Sequence, residues 1–166
     1  MLVRNIVQNL NQLLELLLKN EIDFVLIGGF AAVVHGSTLV TQDLDICTSL
    51  SEANIGKLRA VLKGYNPIHR MNLKANLSFL DHPKSLNNLN NIYLKTDLGV
   101  LDILSETKPA GDYATLLKNS IEIPFCGYKC RVISIDYLIA VKEIMNRPKD
   151  VQAVLELKKI KELDIN

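Results

Sequence analysis

The strongest constraint on the fold lies between residues 24 and 46. Phe24-Val25-Leu26-Ile27 is a short apolar run of the kind found in a strand buried on both faces, and Gly28-Gly29 stops it abruptly. Phe30 to His35 follows with good helix formers and ends at Gly36, so the unit reads as strand, tight turn, helix. Thirteen residues beyond the glycine pair, Asp43-Leu44-Asp45-Ile46 alternates strictly. A strand there sets both carboxylates on one face and both aliphatic side chains on the other.

The remaining chain supplies elements for such a strand pair to pack against. Leu10, Leu13, Leu14, Leu17 and Leu18 recur at the spacing of one helical face, and the segment closes at Asn20 and Asp23. Arg4, Asn5, Gln8, Asn9, Asn11, Gln12 and Glu15 interrupt the leucines, which predicts an amphipathic helix, not a membrane span or signal peptide. Its stripe reads most simply as core, with a homodimer or a protein partner as the other use for surplus leucine. Ser51 is a plausible cap for a helix to Leu62. The stretch from Tyr65 to Asn91 is rich in asparagine and holds Pro67 and Pro83, which predicts short strands and loops. Ile92 to Lys95 and Val100 to Leu104 flank Thr96-Asp97-Leu98-Gly99 as a hairpin, so Asp102 falls inside a strand. A short helix over Tyr113 to Lys118, a hairpin across Cys126-Gly127, a helix over Ile135 to Met145 and a last helix from Lys149 to Leu163 complete the reading.

With 166 residues, 48% of them hydrophobic, the chain can bury one good core with a small helical annex. The expected division is a core over 1–112 and a C-terminal hairpin and helices over 113–166, packed on it. The fold class expected is α/β (α+β): a short mixed sheet flanked by helices, with a small C-terminal helical region. Nineteen basic against 18 acidic residues leave a net charge of +1, which argues against a broad basic surface for nucleic acid. Cys47, Cys126 and Cys130 form no disulfide framework and no zinc-like spacing, so reduced thiols and a cytoplasmic location are expected.

Each piece of the central unit has a use in phosphate chemistry. Gly28 and Gly29 lack a Cβ, so a triphosphate can approach the backbone N–H groups at a helix start. Asp43 and Asp45 are hard oxygen ligands suited to Mg²⁺. Asp102, brought alongside by strand pairing, completes a two-metal site or takes a proton from an attacking hydroxyl. Alone, a glycine pair is usually a turn and alternating aspartates a solvated face; it is their conjunction that is informative. His35, at a helix end, is expected to make a structural hydrogen bond.

Ile27 to Ile46 resembles the signature of the nucleotidyltransferases of the DNA polymerase beta superfamily, where Gly-Gly or Gly-Ser precedes an Asp-hydrophobic-Asp pair by about a dozen residues. The resemblance runs on through Ala31 to Ser37, Thr41 to Asp45, Gly99 to Leu104, Val132 to Lys142 and Arg147 to Asp150. It is similar above all to the minimal bacterial members, which include antibiotic-modifying enzymes and toxins of abortive-infection-type toxin–antitoxin pairs. It implies a nucleotidyltransferase fold, a catalytic and metal-binding trio Asp43, Asp45 and Asp102, and nucleotide contacts from Gly28, Gly29, Ser37, Thr41 and Lys142, more weakly from Arg147 and Lys149. Without the resemblance, Lys142 is a lysine snorkelling from an apolar helix, and Arg147, Lys149 and Asp150 are helix-start charges. The implied cofactor is Mg²⁺, with Mn²⁺ as its substitute, and a nucleoside triphosphate is the implied co-substrate. The acceptor is a small molecule, an RNA or a protein, and an antitoxin is an implied partner.

Two positions depart from the pattern. Relatives often carry an arginine two residues before the threonine, where this chain has Leu39, and an acid where it has Ala153. These departures set a catalytically silent nucleotide-binding module and a toxin-type enzyme beside the transferase reading.

Overall fold

The computed structural model describes residues 2–165, with side-chain surroundings for 9–164. Helix α1 (Leu2–Lys19) leads into strand β1 (Val25–Ile27), helix α2 (Gly28–Val34), strand β2 (Asp43–Cys47) and helix α3 (Glu52–Leu62). A 3₁₀ turn (Lys63–Tyr65), strand β3 (Ile68–His69) and a second 3₁₀ turn (Arg70–Asn72) precede the hairpin β4 (Asn91–Thr96) and β5 (Gly99–Leu104). A ribbon of β6 (Glu106–Thr107) and β7 (Gly111–Asp112) leads to α4 (Tyr113–Lys118), the hairpin β8 (Ser120–Phe125) and β9 (Tyr128–Ile133), then α5 (Ile135–Met145) and α6 (Pro148–Ile165).

Seven strands form one mixed sheet in the order β3-β4-β5-β2-β1-β9-β8. β2 pairs in parallel with β5 and β1 with β9, while the other neighbours are antiparallel. The C-terminal hairpin therefore extends the central sheet through β9, its second strand, which lies at the edge of β1 and pairs Val132 with Leu26.

Leu10, Leu13, Leu14 and Leu17 of α1 are fully buried and pack over β2, β5 and β9. Their burial stabilises the fold by roughly 1.5–3 kcal/mol per side chain. The polar positions Arg4, Asn5 and Gln8 lie outside the residues whose side chains are described. Leu44 and Ile46 are fully buried on the opposite face of β2 from Asp43 and Asp45, as the period of two requires. Ser51 caps α3 by accepting the Asn54 N–H. The β4–β5 turn is tied by Thr96, whose Oγ1 accepts from Leu98 N–H at 3.1 Å and donates to Gly99 O at 2.8 Å.

Three local features differ from the sequence reading. α2 begins at the glycine pair itself, with Gly28 at φ +71°, instead of two residues later. Pro148 opens α6 instead of preceding it, because at the first helical position its missing N–H has no intrahelical partner to lose. The β6–β7 ribbon carries no alternating apolar signal to announce it. Among the described residues, no helix is long and apolar enough to cross a membrane. Burial pushes the Cys47 and Cys130 thiols up to about 12, which leaves them inert at neutral pH.

Candidate active site

Parallel pairing brings the acids together. In the β2–β5 register Asp45 lies opposite Asp102, and Asp43 sits two residues away on the same face. One carboxylate oxygen from each of Asp43, Asp45 and Asp102 lies within 4.8 Å of the other two. Such convergence is costly without a cation. Burial first, then the charges of Asp102 and Asp43, pushes the Asp45 carboxyl from 3.8 to about 7. An all-oxygen set of carboxylates within a few ångströms is the donor chemistry that a hard divalent ion such as Mg²⁺ takes, so these residues fit the metal that the sequence motif implies.

Asp43 and Asp45 of the trio border a cavity of about 480 Å³ between the sheet, α2, α5 and α6. Asp43, Asp45, Gly28, Gly29, Thr41 and Lys142 all line it. The glycines are there for close approach. A Cβ on Gly28 would meet the Asp45 side chain, with Asp45 Cβ and Cγ at 3.1 Å, and one on Gly29 would lie 2.8 Å from Thr41 Oγ1. Either methyl would crowd a side chain of the cavity wall itself. Ser37 does not line the cavity; it is buried, and its hydroxyl accepts the Leu39 N–H at 3.1 Å. Its role is in the turn that carries Leu39 and Thr41. Asp102 is also absent from the lining, being 8% exposed and paired with Arg70.

Lys108, Lys142, Arg147 and Lys149 also line the cavity and make part of its wall cationic. Lys142 points from α5 toward Asp150, with Nζ at 3.8 Å from Oδ1, and also feels the charge of Asp45. Burial holds its ammonium below the ordinary lysine range. Asp150 is fully buried at the start of α6, where its Oδ2 accepts from Arg147 N–H at 3.1 Å and from Nε at 2.6 Å. The reach from the third helical position back to the capping residue's N–H is capping-box geometry. Burial alone would raise Asp150, but the Arg147 hydrogen bonds and the Arg147 and Lys142 charges hold it below the usual carboxylate range.

Asp150 is thus the buried anchor of both cations, a role that its sequence position as a helix-start acid does not reveal. Asp150→Ala leaves the half-buried Lys142 unpaired, so we expect a loss of roughly 2–4 kcal/mol in chemical denaturation. A change within 0.5 kcal/mol would mean that the pair is a surface contact.

Arg70 was not singled out from the sequence. Its Nε donates to Asp102 Oδ1 at 3.0 Å and its Nη2 to Oδ2 at 2.6 Å, and the guanidinium lies 5.2 Å from the Tyr93 ring centroid. It sits in the asparagine-rich stretch, 32 positions before Asp102, where no local pattern points to the site. Glu156 of α6 binds Thr38, through its backbone N–H and through Oγ1 at 3.1 Å, and so docks the 37–41 loop on the C-terminal helices. His35 makes the expected structural bond, its Nε2 lying 2.7 Å from Ile133 O.

Leu39 and Ala153, the two departures from the sequence pattern, both line the cavity. With Ala32, Leu138, Val141 and Met145 they make one part of its wall apolar.

No protein-family model matches this chain, and no curated protein is significantly similar to it in sequence. Several solved structures are similar in fold, among them the following two. One is a crystal structure of the lincosamide antibiotic adenylyltransferase LnuA bound to lincomycin, with a TM-score of 0.63 and 19% identity over 92% of this chain and 96% of that one. The other is a solution structure of the antibiotic-resistance factor ANT(2'')-Ia, with a TM-score of 0.53 and 15% identity over 96% of this chain and 84% of that one. This chain therefore has the nucleotidyltransferase fold that its glycine pair and alternating aspartates implied.

Proposed function

We propose that the protein transfers a nucleoside monophosphate from a Mg²⁺-bound nucleoside triphosphate to an acceptor hydroxyl. The observation that carries this reading is the meeting of Asp43, Asp45 and Asp102 beside a cavity that Asp43, Asp45 and Lys142 line. The acceptor oxygen forms a bond to the α-phosphorus, the bond from that phosphorus to the β-bridging oxygen breaks, and pyrophosphate leaves. Asp43, Asp45 and Asp102 would hold the metal, which when bound offsets phosphate charge during in-line displacement. Gly28 and Gly29 admit the phosphates to the backbone, and Thr41 offers a hydroxyl beside them. Lys142, steadied by Asp150, faces the negative charge of the leaving group. Asp102 either completes the metal site or accepts the hydroxyl proton.

The names of the two fold neighbours favour a small hydroxylated antibiotic as the acceptor class, ahead of an RNA or protein target of the toxin kind. One observation favours a second reading, a nucleotide-binding module without turnover: Leu39 and Ala153 remove an arginine and an acid from the cavity wall itself.

Calorimetric titration of Mg²⁺ with non-hydrolysable analogues of the four nucleoside triphosphates tests the reading. Metal-dependent binding of one or more is expected, weakening roughly tenfold per pH unit below about 7 as protons compete for Asp45. Absence of binding by all four would sink both readings. Binding with no pyrophosphate release from hydrolysable nucleotide, across a panel of hydroxylated acceptors, would select the silent module.

A further inference from the structure

The charge of the trio is not left uncompensated in the metal-free protein. Among the described residues, Arg70 is the one cation in an ion pair with any of the three acids. Its fork occupies both oxygens of Asp102, and each oxygen keeps a second lone pair for another partner. The guanidinium is steadied from below by Tyr93, which lies directly across from Asp102 in the β4–β5 register. Its backbone, however, begins a single 3₁₀ turn, and the next large side chains, Met71 and Leu73, are 71% and 55% exposed. Release of Arg70 uncovers no core. Arg70 follows directly on β3, which pairs with β4, so its backbone is anchored while its side chain, 30% exposed, can swing away from the carboxylate as an exchangeable cation does.

We propose that Arg70 is a resident counter-ion of the carboxylate trio, positioning Asp102 in the metal-free protein and competing with a divalent ion for it. The inference rests on the trio being a metal site. A divalent ion beside Asp43, Asp45 and Asp102 meets the positive charge of Arg70 at short range, so the two cations weaken one another's binding. Metal alone then binds poorly, and the added negative charge of a triphosphate tips the exchange, which couples metal uptake to nucleotide.

The test is titration of Mn²⁺ alone, followed by electron paramagnetic resonance of the free ion, into the wild type, Arg70→Ala, Arg70→Lys and Asp43→Asn. Arg70→Ala is expected to bind Mn²⁺ about tenfold more tightly than wild type while its metal-free protein melts at a lower temperature, a combination that a merely structural ion pair does not produce. Arg70→Lys keeps the charge without the fork and is expected to tighten binding by only about threefold. Arg70→Lys also carries the test if the alanine variant fails to fold. Equal or weaker Mn²⁺ affinity in the Arg70 variants, with uptake lost in Asp43→Asn, would overturn the counter-ion role and leave the metal site standing. Uptake that is absent from the wild type and from both Arg70 variants, or unchanged by Asp43→Asn, would overturn the metal site and this inference together.

Discussion

On the proposed reaction, Asp45→Asn is expected to reduce nucleotidyl transfer on the order of a thousandfold or more, because it removes a carboxylate from the centre of the trio that would hold the metal. The same substitution is expected to stabilise the metal-free protein. Asp45 has its carboxyl raised from 3.8 to about 7 by burial and by Asp102 and Asp43, so the folded chain keeps a proton that the unfolded chain gives up. By linkage, wild-type stability falls as pH rises from about 4 to 7 and levels off above that, where the carboxylate is ionised in the fold at full cost. Asparagine carries no such cost. At pH 8 and without metal, the variant should melt roughly 2–6 °C higher than wild type, equivalent to ~1–2 kcal/mol, and the difference should vanish near pH 4. Saturating Mg²⁺ should reverse the order, since only the wild type holds the ion well. Pyrophosphate release and thermal melts at pH 4 to 8 measure both arms. A variant that is inactive yet less stable than wild type at pH 8 would show that Asp45 is held by partners that favour its ionised form, against the geometry of three converging acids.

Gly28→Ala is expected to cost roughly 2–5 kcal/mol of stability in chemical denaturation, and to abolish activity by displacing Asp45. Two effects add. Gly28 sits at φ +71°, a conformation that costs an L-residue about 1–2 kcal/mol. The new methyl also meets the Asp45 side chain, with Cβ and Cγ at 3.1 Å, where overpacking costs about 1–3 kcal/mol. Gly56→Ala supplies the contrast. Gly56 lies exposed in the middle of α3, nothing stands within 4 Å of its Cβ position, and alanine there should stabilise by ~0.5–1 kcal/mol. Equal effects at the two positions would show that the strand-to-helix turn does not need glycine.

The elements that follow from local chemistry were legible in the sequence. Leucines spaced for one helical face gave a helix with Leu10, Leu13, Leu14 and Leu17 at zero exposure, and Asp43 and Asp45 lie opposite Leu44 and Ile46 because side chains alternate along any strand. Ser51 and Thr96 act through neighbours within four residues. The glycine pair was legible as a break, and its reason emerged only where Gly28 meets Asp45 and Gly29 meets Thr41.

By itself, then, the sequence determined the identity and facing of the helix and strand segments and the two carboxylates of β2, since periods of 3.6 and 2 are set by backbone geometry within a few residues. Tertiary structure alone decided what no local period encodes. It set the parallel register that puts Asp102 beside Asp45, the return of β9 to the edge of β1, and the burial of Asp150 under Lys142 and Arg147. It also carried Arg70 across 32 positions to fork Asp102. These contacts form because long loops close at a cost that grows only slowly with their length, so the core chooses which distant side chains meet.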